Sequence, residues 1–399
     1  MTPLVSEGVY GAEIEVSDYV RIDGLSKIKR SIDSTDYSLG VYRFNDLKLK
    51  CENSKGTFNE NDYRSIFPFT RDKAKVRAAA LKINPDTGDT DTVLQFEGLI
   101  NDEATRQNIT DDIVSMTALS KDSVFRTTRV PAGIITAGTL VENALFQILS
   151  LPDITALLTV NIANINPNLN YAIDTPGELD NLEVREALDL LVRAANSVLL
   201  LDGDDVIVQA RENPSPGIPL ELRGRGEITN NANIIAISEY NSGKQRQFNS
   251  VRLNDGAVTV EDSASISEYG LRQIKFDFPM VNDTDTLMDI GANIAEEFRY
   301  PKIELKLRIP AIVAEGYDLL DLVRVDAPLL RKPKGADFLP VYGVATYGDS
   351  VTPYPQVFGS VAISKETKFK IISIEDDPKT FITTLKLRQS GKEFNDGEF

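Results

Sequence analysis

The stretch from Phe248 to Pro328 reads FNSVRLNDGAVTVEDSASISEYGLRQIKFDF (248–278), NDTDTLMDIGANIAEEFRY (282–300) and PKIELKLRIPAIVAEGYDLLDLVRVDAP (301–328). Its pattern is strand, turn signal, strand, capped helix, long strand and short strand. In the helical part, Leu287, Ile290, Ile294, Ala295 and Phe298 recur at helical spacing over about Thr284–Arg299, with Asp283 or Thr284 as the cap. Gly291 costs roughly 1 kcal/mol against alanine inside a helix, which predicts a close approach to a sheet there. In the long strand, Ile303, Leu305, Leu307 and Ile309 alternate with Lys302, Glu304, Lys306 and Arg308. One face is therefore core, and the other is wet or meets another subunit. A helix set into a run of strands is an α+β, β-rich sheet module.

Strands also dominate the start of the chain, about 1–130. Leu47, Leu49 and Cys51 alternate, with Phe44 out of register. Lys75–Ile83 and Thr92–Ile100 form a hairpin around NPDTGD, and Ile113–Leu119 supplies a further strand. Residues 131–212 read differently, as a small α/β block of two helices and a hairpin. Thr139 and Glu142 have the spacing of a capping box, and Pro152 stops the helix that follows. A second helix runs over about Leu182–Ala195, and Val198–Leu201 and Val206–Ala210 flank an Asp-Gly turn. Residues 213–227, rich in proline and glycine, read as a linker. The rest, 228–399, is a second β-rich block with one helix. It ends in the hairpin KFKIISIEDD and FITTLKLRQ and holds a Pro-, Gly- and Tyr-rich insertion at 329–362.

Composition excludes several function classes. The 399 residues include 43 Lys+Arg against 60 Asp+Glu, a formal net charge of −17. Surfaces that grip phosphates are basic, so such a balance argues against a DNA-gripping protein. Histidine is absent and Cys51 is the single cysteine. No Ser-His-Asp or Cys-His nucleophile system, no His/Cys zinc site and no intrachain disulfide can be built. No signal peptide is expected at the start, and no apolar run approaches the roughly 18–20 residues that cross a bilayer. A protein soluble until assembled is expected.

Four polar clusters invite chemical readings. Asp86, Asp89 and Asp91 lack the spacing and closing glutamate of a calcium loop, so a solvated hairpin tip is expected. Asp202, Asp204 and Asp205 read the same way. The Gly-Arg-Gly around Arg225 has no following helix and no Gly-Lys-Ser/Thr, so it is a turn and not a phosphate loop. Glu296 and Glu297 are adjacent and point to different sides of a helix, so they read as a solvated helix edge and not a paired-carboxylate site. No catalytic, cofactor-binding or metal-binding residue is assigned.

Two β-rich blocks flanking a small α/β block resemble the plan of bacteriophage tail hub proteins. VLQFEGLINDEATRQNITDDIVSMTALS (93–120) is similar to their first-domain strands. VREALDLLVRAANSVLLLDGDDVIVQAR (184–211) is similar to their helix-then-hairpin element. DSASISEYGLRQIKF (262–276), the downstream helix and DLVRVDAP (321–328) are similar to their second tube domain. One departure is Leu320, where the family often has a glycine before the aspartate.

The resemblance implies two tube-type β-barrel domains, 1–130 and 228–399, and a homotrimer. That trimer would adapt a hexameric tail tube to the baseplate or tip and form part of a DNA-conducting channel. It implies a tail tube or distal tail protein and a tape-measure or central spike or fibre protein as partners. Sequence-specific nucleic-acid binding and a membrane are not implied. The location would be the virion, with the host cytoplasm during assembly. An acidic bore that repels phosphates is a further expectation. The alternatives are a carbohydrate- or receptor-binding β-protein of the virion, which the absence of tryptophan disfavours, and the related spike of contractile secretion systems.

Overall fold

The structure, a computed structural model, describes residues 17–32, 40–58, 74–83, 90–108, 112–211, 220–223, 233–241, 243–326 and 367–390. The Asp86 and Asp89 tip, Arg225 and the 329–362 insertion lie outside these residues. The fold is α+β and strand-rich, in four packed sheets.

The first sheet has five strands: β1 (Val20–Leu25), β4 (Leu47–Glu52), β5 (Lys75–Ile83), β6 (Thr90–Asn108) and β7 (Ile113–Ser120). Their order is β1-β4-β7-β6-β5, antiparallel throughout. β4 alternates strictly between buried and exposed residues, so Leu47, Leu49 and Cys51 enter the core while Lys48, Lys50 and Glu52 face out. The core they join includes Val76, Phe96, Ile100, Val114 and Met116. β6 continues past the expected Ile100 to Asn108, where it pairs again with β7 beyond a register shift.

The middle α/β unit follows: α1 (Val124–Thr127), α2 (Val141–Leu149), α3 (Pro152–Thr155), β8 (Thr159–Ile165), α4 (Val184–Ala194), β9 (Ser197–Asp202) and β10 (Asp205–Ala210). β9 and β10 form the expected hairpin, with Asp202 opposite Asp205 and Gly203 at φ +60°. β8 adds to β10 in parallel. The predicted capping box does not form. Thr139 bonds the Thr136 hydroxyl at 3.1 Å. The start of α2 is held from outside the helix: Asn170 Oδ1 accepts the Glu142 N–H at 3.1 Å, and Asn170 Nδ2 donates to Glu142 Oε2 at 3.0 Å.

Residues of the opening stretch divide between two bodies. β13 (Ser250–Leu253), β14 (Val258–Glu261), α5 (Ser263–Tyr269), β15 (Gln273–Phe276) and α6 (Thr284–Phe298) form their own unit, with sheet order β14-β13-β15. α5 stands where no helix was predicted. It forms because Asp262 accepts the Ser265 N–H at 2.8 Å at one end and Gly270 turns at φ +77° at the other. Asp283 caps α6 through the Thr286 N–H at 2.8 Å, as predicted. A Cβ on Gly291 would lie 2.7 Å from Val260 Cγ2 and 3.3 Å from Leu253 Cδ1, so the glycine does mark a close approach to the sheet.

This unit is an excursion between two paired strands of the largest sheet, β12 (Ala236–Asn241) and β16 (Glu304–Pro310), whose ends meet at Asn241 and Glu304. The chain leaves and returns at one point. Gly243 sits at φ +75°, and a Cβ there would lie 2.1 Å from the Lys302 carbonyl oxygen. Only glycine fits that crossing.

The largest sheet has eight strands, completed by β2 (Ile28–Ser31), β3 (Arg43–Phe44), β11 (Leu220–Arg223), β17 (Leu322–Asp326), β18 (Lys368–Asp377) and β19 (Ile382–Gln389). A short helix, α7 (Ala311–Ala314), follows β16. The main path is β11-β17-β18-β19-β16-β12. β11 forms inside the expected linker because Leu220 and Leu222 are buried against β17, which they join in parallel. β2 and β3 come from the N-terminal block: Ser31, Arg30, Lys29 and Ile28 pair with Ser373, Ile374, Glu375 and Asp376 of β18.

Two outcomes are expected on unfolding. Gly291→Ala gains helix propensity but presses on Val260, so it destabilises by roughly 1–3 kcal/mol in denaturant titration; combined with Val260→Ala the penalty disappears. Leu320, buried and at φ +70°, occupies the position where the resembled family carries glycine. Truncation there loses burial, but Leu320→Gly will be about 1 kcal/mol more stable than Leu320→Ala, reversing their usual order.

Candidate assembly surfaces and the buried charge network

Each large sheet leaves strands with one unpaired edge among the described residues. In the first sheet these are β1 and β5, and in the largest sheet β3, β11 and β12. On β12, Ser238, Glu239 and Tyr240 are all exposed. Unpaired edges are templates for pairing with another chain.

The faces of both sheets that point away from the core are also distinctive. On the first sheet, Lys48, Lys50, Lys75 and Arg77 share that face with Glu52 and Glu97. On the second, cross-strand register places Glu239, Lys306 and Lys386 in one row. Arg308, Thr384, Glu375 and Lys29 form the next. Glu304 and Asp377 lie in the flanking rows of that face. Among the described side chains, both faces still carry more cations than acids.

Buried ion pairs tie the units together. Glu297 is not at a solvated edge, which corrects the expectation. It is 8% exposed, with Oε2 2.6 Å from Lys302 Nζ and Oε1 3.4 Å from Arg388. Arg388 in turn lies over the Phe298 ring, 5.5 Å from its centroid. Burial alone would raise the Glu297 pKa, but Lys302, Arg388 and Arg211 together overcome it and hold the carboxyl well below the usual carboxylate range. Glu296 points elsewhere and pairs with Arg299 at 2.7 Å, half-exposed. Next to Glu297, Glu304 is buried against Arg246 at 2.9 Å. Sequence reasoning missed this network. Its signal was there: Glu297 follows Ile290 by seven residues and Ile294 by three, on the apolar stripe of α6.

A second network joins the first sheet to the middle unit. Asp122 is buried and accepts from the Ser120 hydroxyl, from the Phe44 N–H at 3.4 Å and from Arg185 at 3.4 Å. Burial pushes its carboxyl pKa up, against the pull of Ser120 and Arg185. A third contact seats the middle unit on α6: Asp174 Oδ2 accepts the N–H groups of Asn282 at 2.7 Å and Asp283 at 3.0 Å.

Among the described residues, no carboxylate cluster gathers into a metal site. Asp202 and Asp205 flank the hairpin turn, and Asp204 pairs with Lys121. Asp91 lies in β6 opposite Lys82. Among the described residues no group of three or more His, Cys, Asp or Glu could hold a metal. A cavity of about 190 Å3 lies between the first sheet and the middle unit, lined by Lys75, Glu97, Lys121, Thr155, Leu158 and Asp204 among others. No aromatic side chain lines it among the described residues. No helix among the described residues is long and apolar enough to cross a membrane.

No family profile matches the chain, and neither does any curated protein sequence. Solved structures do. The chain is similar to a tail protein from Neisseria meningitidis MC58 at TM-score 0.56 and 12% identity, over 98% of each chain. It is similar to the 43 kDa tail protein of prophage MuSo2 from Shewanella oneidensis at TM-score 0.52 and 11% identity, over 97% of each. It is also similar to the prophage tail protein gp18 from Listeria monocytogenes EGD-e at TM-score 0.51 and 12% identity, over 98% of this chain and 95% of that one. The fold is therefore that of phage tail proteins, along nearly its whole length.

Glu297→Gln leaves Lys302 and Arg388 buried beside a neutral group and should cost about 3–5 kcal/mol in denaturant unfolding. Because the folded-state pKa is depressed, the wild-type carboxylate contributes fully above its unfolded value of about 4.3 and loses that contribution as pH falls. Acid titration of stability should accordingly be shallower in the variant below about pH 4.

Proposed function

We propose that this protein is a structural, non-enzymatic component of a phage tail tip. In this reading three copies form a hub that adapts a hexameric tail tube to the baseplate or tip and encloses part of the DNA path. The observation that carries it is the match to three tail proteins over 97–98% of this chain. The two large sheets, each with open edges, support the ring. Two wall positions per chain, used three times, supply six, which resolves the mismatch between a sixfold tube and a threefold tip. The tube-type domains are 1–130 and 228–399, flanking 131–212, with β2 and β3 lent by the first to the second. Its neighbours would be a tail tube or distal tail protein and a tape-measure or central spike or fibre protein. It would reside in the virion, after assembly in the host cytoplasm. The outward faces of both sheets carry a cation surplus, so an acid-lined bore would have to be built from other surfaces.

Light scattering of the purified protein across concentrations should give the mass of three subunits. A protein that stays monomeric at every concentration contradicts the hub.

A further inference from the structure

Copies of this chain each carry a formal charge of −17, so any two repel at long range. A local patch of the opposite sign would favour self-assembly against that repulsion. The structure offers one on the outward face of the largest sheet, where Lys29, Lys306, Arg308 and Lys386 stand on three strands with Glu239 and Glu375 among them. Glu304, buried and 3.9 Å from Lys386, and Asp377 lie in the flanking rows. Lys29 and Arg308 are exposed, and the Lys306 and Lys386 side chains are 40% and 27% exposed. Setting these cations apart leaves the rest of the surface still more acidic. One part of it, the solvent side of α6, presents Asp285, Asp289 and Glu296 and has no lysine or arginine in the helix.

We propose that this cationic sheet face docks the acidic surface of a second copy of the chain. The inference rests on the oligomeric reading above and names the surface that makes it possible. A head-to-tail contact between two different patches of one chain, cation face to acid face, is the kind that closes into a ring. Complementary charge steers encounter and fixes register, which suits a protein that must assemble against its own net charge. A nucleic acid is the weaker fit, because a duplex carries one negative charge per about 1.7 Å and so meets the repulsion of this acidic molecule more strongly than a second copy does.

The test is sedimentation of the full chain at about 0.05 M and about 0.5 M salt, for wild type and for Lys306→Glu/Arg308→Glu. The proposal expects high salt and the double reversal each to weaken self-association about tenfold or more. Lys306→Gln/Arg308→Gln should fall between, and it decides the matter if the reversal fails to fold by thermal melt. Lys379→Glu, on the exposed β18–β19 turn, should associate like wild type. Variants that associate as tightly as wild type overturn this inference and leave the hub standing. A wild type that never associates overturns both. Duplex DNA binding that the double reversal removes, with association unchanged, assigns the face to nucleic acid instead.

Discussion

One strand holds the chain together. β18 pairs through Lys368–Lys370 with β17, through its later half with β2 from the start of the chain, and along its other edge with β19. A register shift between Ile371 and Ser373 on the β19 side falls where the neighbour on the opposite edge changes from β17 to β2. Such a bulge bends a strand and increases its twist, which lets one strand serve two neighbours in succession. Ile28 of β2 packs in the core of the first sheet while its backbone pairs with Asp376 of the second. Opening β18 would thus separate the two sheets as well as unravel one.

Around that strand the polar contacts sit at junctions between units. Asp122 with Arg185, Asp174 with the start of α6, and Glu297 with Lys302 and Arg388 each join bodies that a hydrophobic face alone would leave free to slide. Buried charges are costly to place and costlier to leave unpaired, so they fix geometry more than they add stability. In the proposed hub, a subunit presenting two sheets at a set spacing would need that fixity. Of the cluster carboxylates, Asp204, Glu296 and Glu297 are each paired with a cation, and among the described residues no group of three or more His, Cys, Asp or Glu could hold a metal.

Local pattern made much of this legible in the sequence. The alternation in β4, β7 and β16, the β9–β10 and β18–β19 hairpins, and α6 with its Asp283 cap and its crowded Gly291 all follow from period, turn chemistry and propensity. Pairing partners were not legible. Period shows which face of β2 is buried but not that its neighbour lies more than three hundred residues away. α5 was hidden because Ser263–Tyr269 is polar, with Ile266 as its one aliphatic residue larger than alanine and its signals confined to the two ends. The separate unit of β13–β15 and α6 was read as part of one sheet because strands carry no mark of which sheet they join. The assembly surfaces were half-visible. The charged side of β16 was foreseen as wet or intersubunit, which fits Lys306 and Arg308 but not Glu304 or the preceding Lys302, both held in internal ion pairs; the cation surplus across β2, β16 and β19 needs the register.

The central claim is that each chain supplies two fixed wall positions to a threefold ring. Electron microscopy of the purified assembly tests it most directly. The account predicts class averages of a ring with a central hole, threefold symmetry and six similar wall densities. Compact particles without a hole, or rings with one wall density per subunit, would contradict it.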